Sequence, residues 1–208
     1  RSAAYIACGL AAESGEPVVL SCTGSTASRN YYPGLTEAFY RKLPVLAITS
    51  HQGNDRIGQL IFQNIDRHNI PYDIAKISVE LPVVKDERDA AYVNMEANKA
   101  ILELRRNGGG PAHINILTIC SGDFSVKELP QVRAFRRVQA WDPMPAMPQG
   151  SLCVYVGSHV QLTPSQVEAL ERFCTTHDAI VICYHTSGYY GRYRLLPTLS
   201  QLQSVPTL

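Results

Sequence analysis

Residues 22–30, a turn of small and polar side chains, are the part of this sequence whose position favours ligand binding. The turn follows a short apolar run at 17–21 and precedes a helical pattern at about 33–42. In open α/β sheets ligands bind at the carboxyl ends of the strands, so we expect any site of this chain here. Neither GxxxxGK[ST] nor GxGxxG occurs, which excludes a P-loop and a dinucleotide fingerprint. A tight strand-to-helix connection without function is the alternative interpretation.

Other titratable side chains give weaker signals. His113 lies within an apolar strand pattern, and His185 lies at the end of another. No HxxxH or HExxH pair offers a metal site, so we expect these histidines to be structural or solvated. The carboxylates of Glu13, Glu16 and Glu37 fall in helix or turn patterns and are expected to be solvated.

The elements that would position such a site alternate between strands and helices. Short continuous apolar runs are typical of parallel strands buried on both faces, and helical spacing of apolar residues fills the intervals. The predicted strands are 17–21, 44–49, 74–79, 113–117, 152–156 and 179–184, and the predicted helices are 3–14, 33–42, 59–65, 90–106 and 163–176. Thr163 and Gln166 form a capping-box pattern. The alternation favours α/β units with helix-covered parallel sheets.

Composition changes after Thr118 and divides the chain. Residues 119–150 are rich in proline and show little periodicity, so we predict a linker between a first domain, 1–118, and a second, 151–208. The second has fewer predicted strands than a doubly wound domain needs, and the sequence begins with Arg1 inside a helical pattern. We therefore expect a piece of a longer protein.

Charge and composition exclude several classes of function. The 208 residues are 45% hydrophobic and 18% charged, which excludes a disordered chain. The net charge of +1 gives no basic field, so we expect no nucleic-acid partner, and the tyrosine-rich run 189–194 is better explained by loop packing than by base stacking. No apolar run reaches the ~18 residues of a membrane span, so no membrane partner is expected. Six cysteines without CxxC spacing indicate reduced thiols and a cytoplasmic location.

Several segments of the first part follow one another in a familiar order. They are 1–11, 22–27 with 30–33, 37–38, 44–49, 62–66 and 110–115. Together they resemble the pyrimidine-binding domain of the thiamine-diphosphate-dependent enzymes. The Cys-Thr at 22–23, the Asn-Tyr-Tyr-Pro at 30–33 and the Phe-Gln at 62–63 resemble most the SEPHCHC synthases of the menaquinone pathway, and next the acetolactate synthases. Residues 151–208 resemble, more weakly, the start of the family's middle domain.

The resemblance implies a Rossmann-like, helix-covered parallel sheet followed by a partial second α/β domain. It assigns contacts with the aminopyrimidine ring of thiamine diphosphate to Thr23, Gly24, Ser25 and Asn30, and a place beside the substrate to Gln63. The implied activity is that of a 2-oxoacid decarboxylase or carboligase, in which the cofactor serves as the electron sink. Glutamine at 63 favours carboligation. The implied assembly is a homodimer or homotetramer.

The sequence departs from the family pattern in three respects. The family's catalytic glutamate is expected immediately before Arg1, and the GDG motif of the domain that holds Mg²⁺ and the diphosphate is absent, so no metal ligand is assigned. Gln52 stands where the SEPHCHC synthases have a substrate-binding arginine, and an amide cannot pair with a carboxylate as a charged fork does. We therefore expect this piece by itself to be inactive. A non-catalytic binding or assembly module with the same fold is the alternative function.

Overall fold

The computed structural model describes residues 1–24, 26–119, 125–139 and 141–197. They belong to two compact units, 1–139 and 140–208, so the division falls inside the segment predicted as a linker. In the described part of the chain, no helix combines the length and the apolar character that a membrane crossing requires.

The first unit is a four-stranded parallel sheet with helices on both faces. Its strands are β1 (Val18–Cys22), β2 (Val45–His51), β3 (Ser78–Leu81) and β4 (Ala112–Leu117), in the spatial order β1-β2-β4-β3. Its helices are α1 (Ser2–Ser14), α2 (Thr26–Arg29), α3 (Tyr32–Tyr40) and α4 (Glu87–Glu103). The predicted Rossmann-like fold class is confirmed.

Small residues allow α1 and α3 to pack closely on one face of this sheet. Ala4, Ala7 and Ala11 lie buried along α1. A Cβ atom on Gly34 of α3 would lie 2.5 Å from the Cβ of Ala4, so only glycine permits this approach of the two helices. Gly15 ends α1 with φ of 68°, a left-handed cap that other residues adopt at a cost.

The opposite face is covered by α4. The helix begins at the N-cap Asp86, whose carboxylate accepts the Asp89 N–H at 2.8 Å, and it buries Ala100 against the strands. The segment before residue 139 is fixed to the same helix: the Asn98 amide donates to the Arg133 carbonyl at 2.9 Å and accepts the Phe135 N–H at 2.7 Å. These bonds explain why residues as far as 139 belong to the first unit.

Two predicted elements of the first unit are wrong in place or kind. Residues 59–65 form turns and not a helix, because Leu60 and Gln63 have φ of 58° and 56° and Leu60 is fully exposed, with no core to hold a helix there. The strand predicted at 74–79 begins at Ser78, where pairing with β4 begins. Ile74 instead packs from a loop into the core beneath α1 and α3.

The second unit is a smaller parallel sheet in the order β5-β6-β7. Its elements are β5 (Cys153–Val156), α5 (Pro164–His177), β6 (Ile180–Cys183) and the short β7 (Arg194–Leu195), which was not predicted. The capping box is confirmed, since Thr163 and Gln166 bond reciprocally at the start of α5. Cys174, Val181 and Tyr189 are fully buried between the helix and the sheet.

Candidate functional site

One face of the first sheet becomes polar towards its carboxyl edge. Three adjacent strands carry polar residues at alternate positions, which all point to the same face because side chains alternate along a strand. They are Thr49 and His51 of β2, His113 and Asn115 of β4, and Ser78 and Glu80 of β3. In register, Asn115 lies between Thr49 and Glu80. The same face is apolar deeper in the sheet, where α1 and α3 cover it.

A chain of hydrogen bonds links these side chains and fixes the tautomer of His113. The Thr49 hydroxyl donates to Asn115 Oδ1 at 2.7 Å, so its one proton is used. His113 Nε2, at 2.8 Å from the same hydroxyl, must therefore donate, and Nδ1 accepts from the Ser78 hydroxyl at 2.7 Å. Burial lowers the pKa of His113 to about 4, so the ring is neutral at pH 7.

Arg67 covers this polar face, with only 5% of its surface exposed. Its Nε donates to Ser28 Oγ of α2 at 2.9 Å, and its Nη1 donates to Asn115 Oδ1 at 3.3 Å. Its Nη2 is buried and has no hydrogen-bond partner in the described part of the chain. Burial lowers the pKa of the guanidinium. Arg67 thus joins the turn after β1 to the carboxyl end of β4.

Gly24 lies directly above this arginine and beside Gln63. A Cβ atom at Gly24 would lie 3.1 Å from the Ser50 carbonyl oxygen, 3.2 Å from the Gln63 carbonyl oxygen and 3.7 Å from Arg67 Nη2. These three atoms close that side of Gly24, and we call this tightly packed place the Gly24 niche. It brings together the turn after β1, the end of β2 and the segment that carries Gln63.

The other residues assigned by resemblance are placed as follows. Thr23 is exposed next to Gly24, and Gln63 is exposed, with φ of 56°. The Asn30 amide donates to the Thr26 carbonyl at 3.2 Å, so its side chain braces α2. Ser25 lies outside the described residues. The role of each in binding stays a prediction.

A cleft of about 550 Å³ opens at the same edge, beyond β2, β3 and β4. It is lined by Gln52, Arg56, Lys85 and neighbouring residues of the loops after these strands. Gly53, with φ of 120°, makes the turn that brings Arg56 back towards Gln52, and a Cβ there would collide with the Asp55 carboxylate. Arg56 Nη1 lies 3.4 Å from Gln52 Oε1. A guanidinium therefore reaches the amide at position 52.

His51 supports the floor between the niche and the cleft. Its Nδ1 accepts the Gly53 N–H at 3.3 Å, so Nε2 carries the proton and faces Glu80 Oε2 at 3.8 Å. Burial lowers the pKa of His51, which keeps it neutral. The Asn64 amide donates to the Gly53 carbonyl at 3.0 Å. These contacts fix the 52–56 loop to the segment next to Gln63.

Sequence reasoning missed most of this polar arrangement. Thr49, His51, Asn115 and Arg67 were not predicted as site residues, and His113 was predicted to be structural or solvated. The available signal was the alternation of polar residues inside strands that otherwise read as buried, as in the Ala-His-Ile-Asn-Ile-Leu of β4. Among the described residues, no group of three or more His, Cys, Asp or Glu side chains is placed to hold a metal ion.

Comparison with known proteins adds the family. Residues 1–70 match the model of the thiamine pyrophosphate enzyme N-terminal TPP binding domain. The chain belongs to the thiamine pyrophosphate enzymes. The matched range contains Thr23, Gly24, Asn30, Gln63 and Arg67. The predicted resemblance is thereby confirmed, and the Gly24 niche lies in the part of the chain that defines this family.

Relatives of this chain include 2-succinyl-5-enolpyruvyl-6-hydroxy-3-cyclohexene-1-carboxylate (SEPHCHC) synthases. The synthase of Bacteroides thetaiotaomicron is 38% identical over 140 residues, which cover 67% of this chain and 25% of that protein. That of Geobacillus kaustophilus is 32% identical over 158 residues, covering 73% and 27%. That of Bacillus velezensis is 25% identical over 206 residues, covering 98% and 33%. The chain therefore spans a quarter to a third of the length of these relatives.

Proposed function

We propose that the first unit supplies the aminopyrimidine-binding half of a thiamine-diphosphate site in a 2-oxoacid decarboxylase or carboligase. The observation that carries the proposal is the Gly24 niche, where the glycine of the turn after β1 packs against the Gln63 backbone at the carboxyl edge of a parallel sheet. Ligands bind at this edge in open α/β sheets. The family match over residues 1–70 supports the cofactor.

The outer side of the turn at residues 23–24 is the surface that would receive an aminopyrimidine ring. The side of Gly24 on which a Cβ atom would stand is closed by the Ser50 and Gln63 carbonyl oxygens, so the glycine lets the turn pack against the end of β2 and the segment that carries Gln63. Thr23 beside it is exposed. The ring would therefore lie on the open side of the turn, in van der Waals contact with Thr23 and the Gly24 backbone at about 3.5–4.0 Å.

The chain's own residues would bind the cofactor and orient the substrate. When bound, thiamine diphosphate supplies the electron sink for loss of carbon dioxide from a 2-oxoacid. The Gln63 amide offers donors and an acceptor and does not ionise, so its role would be to orient the substrate and not to transfer protons. His51 and His113 are buried and neutral, so they would hold the loops in place.

The SEPHCHC-synthase relatives favour a carboligase of that kind over one resembling acetolactate synthase. The arginine that the resemblance implies at position 52 is replaced by glutamine, but Arg56 Nη1 lies 3.4 Å from the Gln52 side chain. A guanidinium can therefore serve the cleft from one turn further along the chain. This arrangement supports a substrate with a carboxylate in the cleft.

The binding of the metal and the diphosphate and the oligomeric state are inferred from the family and are part of the same proposal. Mg²⁺ and the diphosphate would be held by a separate domain carrying GDG, and the active form would be a homodimer or homotetramer. For the contact between subunits we consider the aromatic residues around α3. Tyr31 is buried and donates to the Ser21 carbonyl at 2.6 Å, so it serves the core. Tyr40 is exposed and is the candidate for this contact.

The proposal is tested on the full-length protein with thiamine diphosphate and Mg²⁺. Calorimetry measures cofactor affinity, and carbon dioxide release is followed with pyruvate, 2-oxobutyrate and 2-oxoglutarate. We expect Gln63→Ala to reduce carboligation at least tenfold and to leave cofactor affinity within about twofold. Gln59→Ala is the matched control, because the Gln59 amide bonds only to the Asp55 carbonyl among the described residues. Absence of cofactor binding by the wild-type protein would refute the proposal.

A further inference from the structure

Arg67 is the only permanently charged residue that is buried in the described part of the chain. No carboxylate of the described residues forms an ion pair with it. Arginine stays protonated in proteins even where burial lowers its pKa. A fully buried guanidinium is normally paired, because removing its charge from water is costly unless an anion compensates it. The first unit therefore holds a buried positive charge that no described carboxylate contacts, and Glu80 favours it only from a distance.

The surroundings of the guanidinium show from which side an anion would compensate it. Nε and Nη1 are used by Ser28 and Asn115. The Glu80 carboxylate acts on the guanidinium only through Asn115: its Oε2 accepts from the Asn115 amide at 3.3 Å, and its Oε1 accepts from the Asn54 amide at 2.7 Å. Nη2 remains, and it borders the Gly24 niche. The charge therefore lies beneath the turn at Gly24, next to the Gln63 segment beside which the substrate is proposed to bind.

The alternative explanation of Arg67 is structural: the side chain would only clamp α2 to β4. Two donors, Nε and Nη1, suffice for that role. It explains neither the buried charge nor the third donor group at the niche, since a neutral amide could bridge Ser28 and Asn115 without burying a charge.

We propose that Arg67 determines the specificity of this site for an anionic substrate, its buried charge attracting the carboxylate of a 2-oxoacid bound beside Gln63. The inference rests on the proposed function and adds to it the residue that selects the charge of the substrate. Arg67 acts through the field and not by contact, because Nη2 is covered by the turn. Charges interact strongly across a poorly solvated site and weakly across water.

The test compares ligands that differ in charge and little in shape. Oxamate, an anionic analogue of pyruvate, and neutral oxamide are titrated into the full-length protein with thiamine diphosphate and Mg²⁺, and binding is followed by ligand-observed NMR. We expect the wild-type protein to prefer oxamate, and Arg67→Met to weaken oxamate binding at least tenfold with oxamide unchanged. Arg67→Lys keeps the charge and should retain most of the preference. Ser28→Ala removes the Nε acceptor but not the charge, and it should behave as wild type.

The other outcomes separate this inference from the proposed function. Equal weakening of both ligands in Arg67→Met would show a structural clamp and overturn the inference, as would a wild-type protein without preference for oxamate. Weaker binding of thiamine diphosphate with oxamate unchanged would make the diphosphate the counter-ion and also overturn it. Failure of the wild type to bind thiamine diphosphate refutes the proposed function, whereas the oxamate preference, measured without cofactor, still decides the inference. If Arg67→Met does not fold, Arg67→Gln, which can bond Ser28 and Asn115, replaces it.

Discussion

His113 makes the stability of the first unit depend on pH. Its buried ring is neutral, bonded to Thr49 and Ser78, and burial lowers its pKa from 6.5 to about 4. As the pH falls below 6.5 the unfolded chain binds a proton that the folded chain does not, so the folded state loses stability until the pH reaches about 4. One pH unit corresponds to 1.36 kcal/mol, so acidification from pH 7.5 to pH 5 costs about 2 kcal/mol through this residue.

The variant His113→Gln isolates this effect, because the amide also offers a donor and an acceptor but does not titrate. Urea unfolding is followed at both pH values by pulsed hydrogen exchange of peptides from β2 and β4, which reports on the first unit by itself. The wild type should lose about 2 kcal/mol more than the variant on acidification. His51, whose pKa is also lowered, is present in both proteins and cancels in the comparison. His185→Gln, at an exposed histidine of the second unit, is the control and should keep the wild-type pH dependence.

Equal losses of stability on acidification in the wild type and in His113→Gln would refute the reasoning. They would mean that His113 is protonated in the folded protein with little penalty, and that the tautomer deduced from the Thr49 and Ser78 bonds is wrong.

Four further substitutions test packing, helix capping and the titration of a buried tyrosine. Gly34→Ala should destabilise the first unit by about 1–3 kcal/mol, because the added Cβ lies 2.5 Å from a side chain of α1. Gly9→Ala should stabilise it by about 0.5–1 kcal/mol, because no atom lies within 4 Å of the added Cβ. Thermal unfolding of both variants measures the two changes. Thr163→Ala removes the cap of α5 and should cost the second unit about 1 kcal/mol in urea unfolding. Burial raises the pKa of Tyr189 to about 12, with the Glu171 carboxylate adding to the rise, so Glu171→Gln should lower that pKa in an ultraviolet titration.

The elements whose signals are local were predicted well. β2 and β4 were recognised as continuous apolar runs, and both are central strands buried on both faces. The start of α5 was predicted from Thr163 and Gln166, whose capping box involves only neighbouring residues. Such patterns are sufficient for a parallel α/β fold because strand burial and helix capping depend on few residues.

Features that depend on distant contacts could not be predicted in the same way. The apolar residues at 60–62 suggested a helix, but no core lies beneath them and the backbone forms turns. In the sequence, Arg67 has no feature that sets it apart from other polar residues. Only the fold brings it to Ser28 and Asn115, which are 39 and 48 positions away. The candidate site was therefore located from the turn at 22–30, whereas its charge was visible only in the structure.

The crystal structure of the full-length protein with thiamine diphosphate and Mg²⁺ tests the central claim most directly. The account predicts the aminopyrimidine ring in van der Waals contact with Gly24, at about 3.5–4.0 Å, with the Gln63 side chain beside the reactive end of the cofactor. A ring bound against another segment, with the turn at 22–30 left facing solvent, would contradict it.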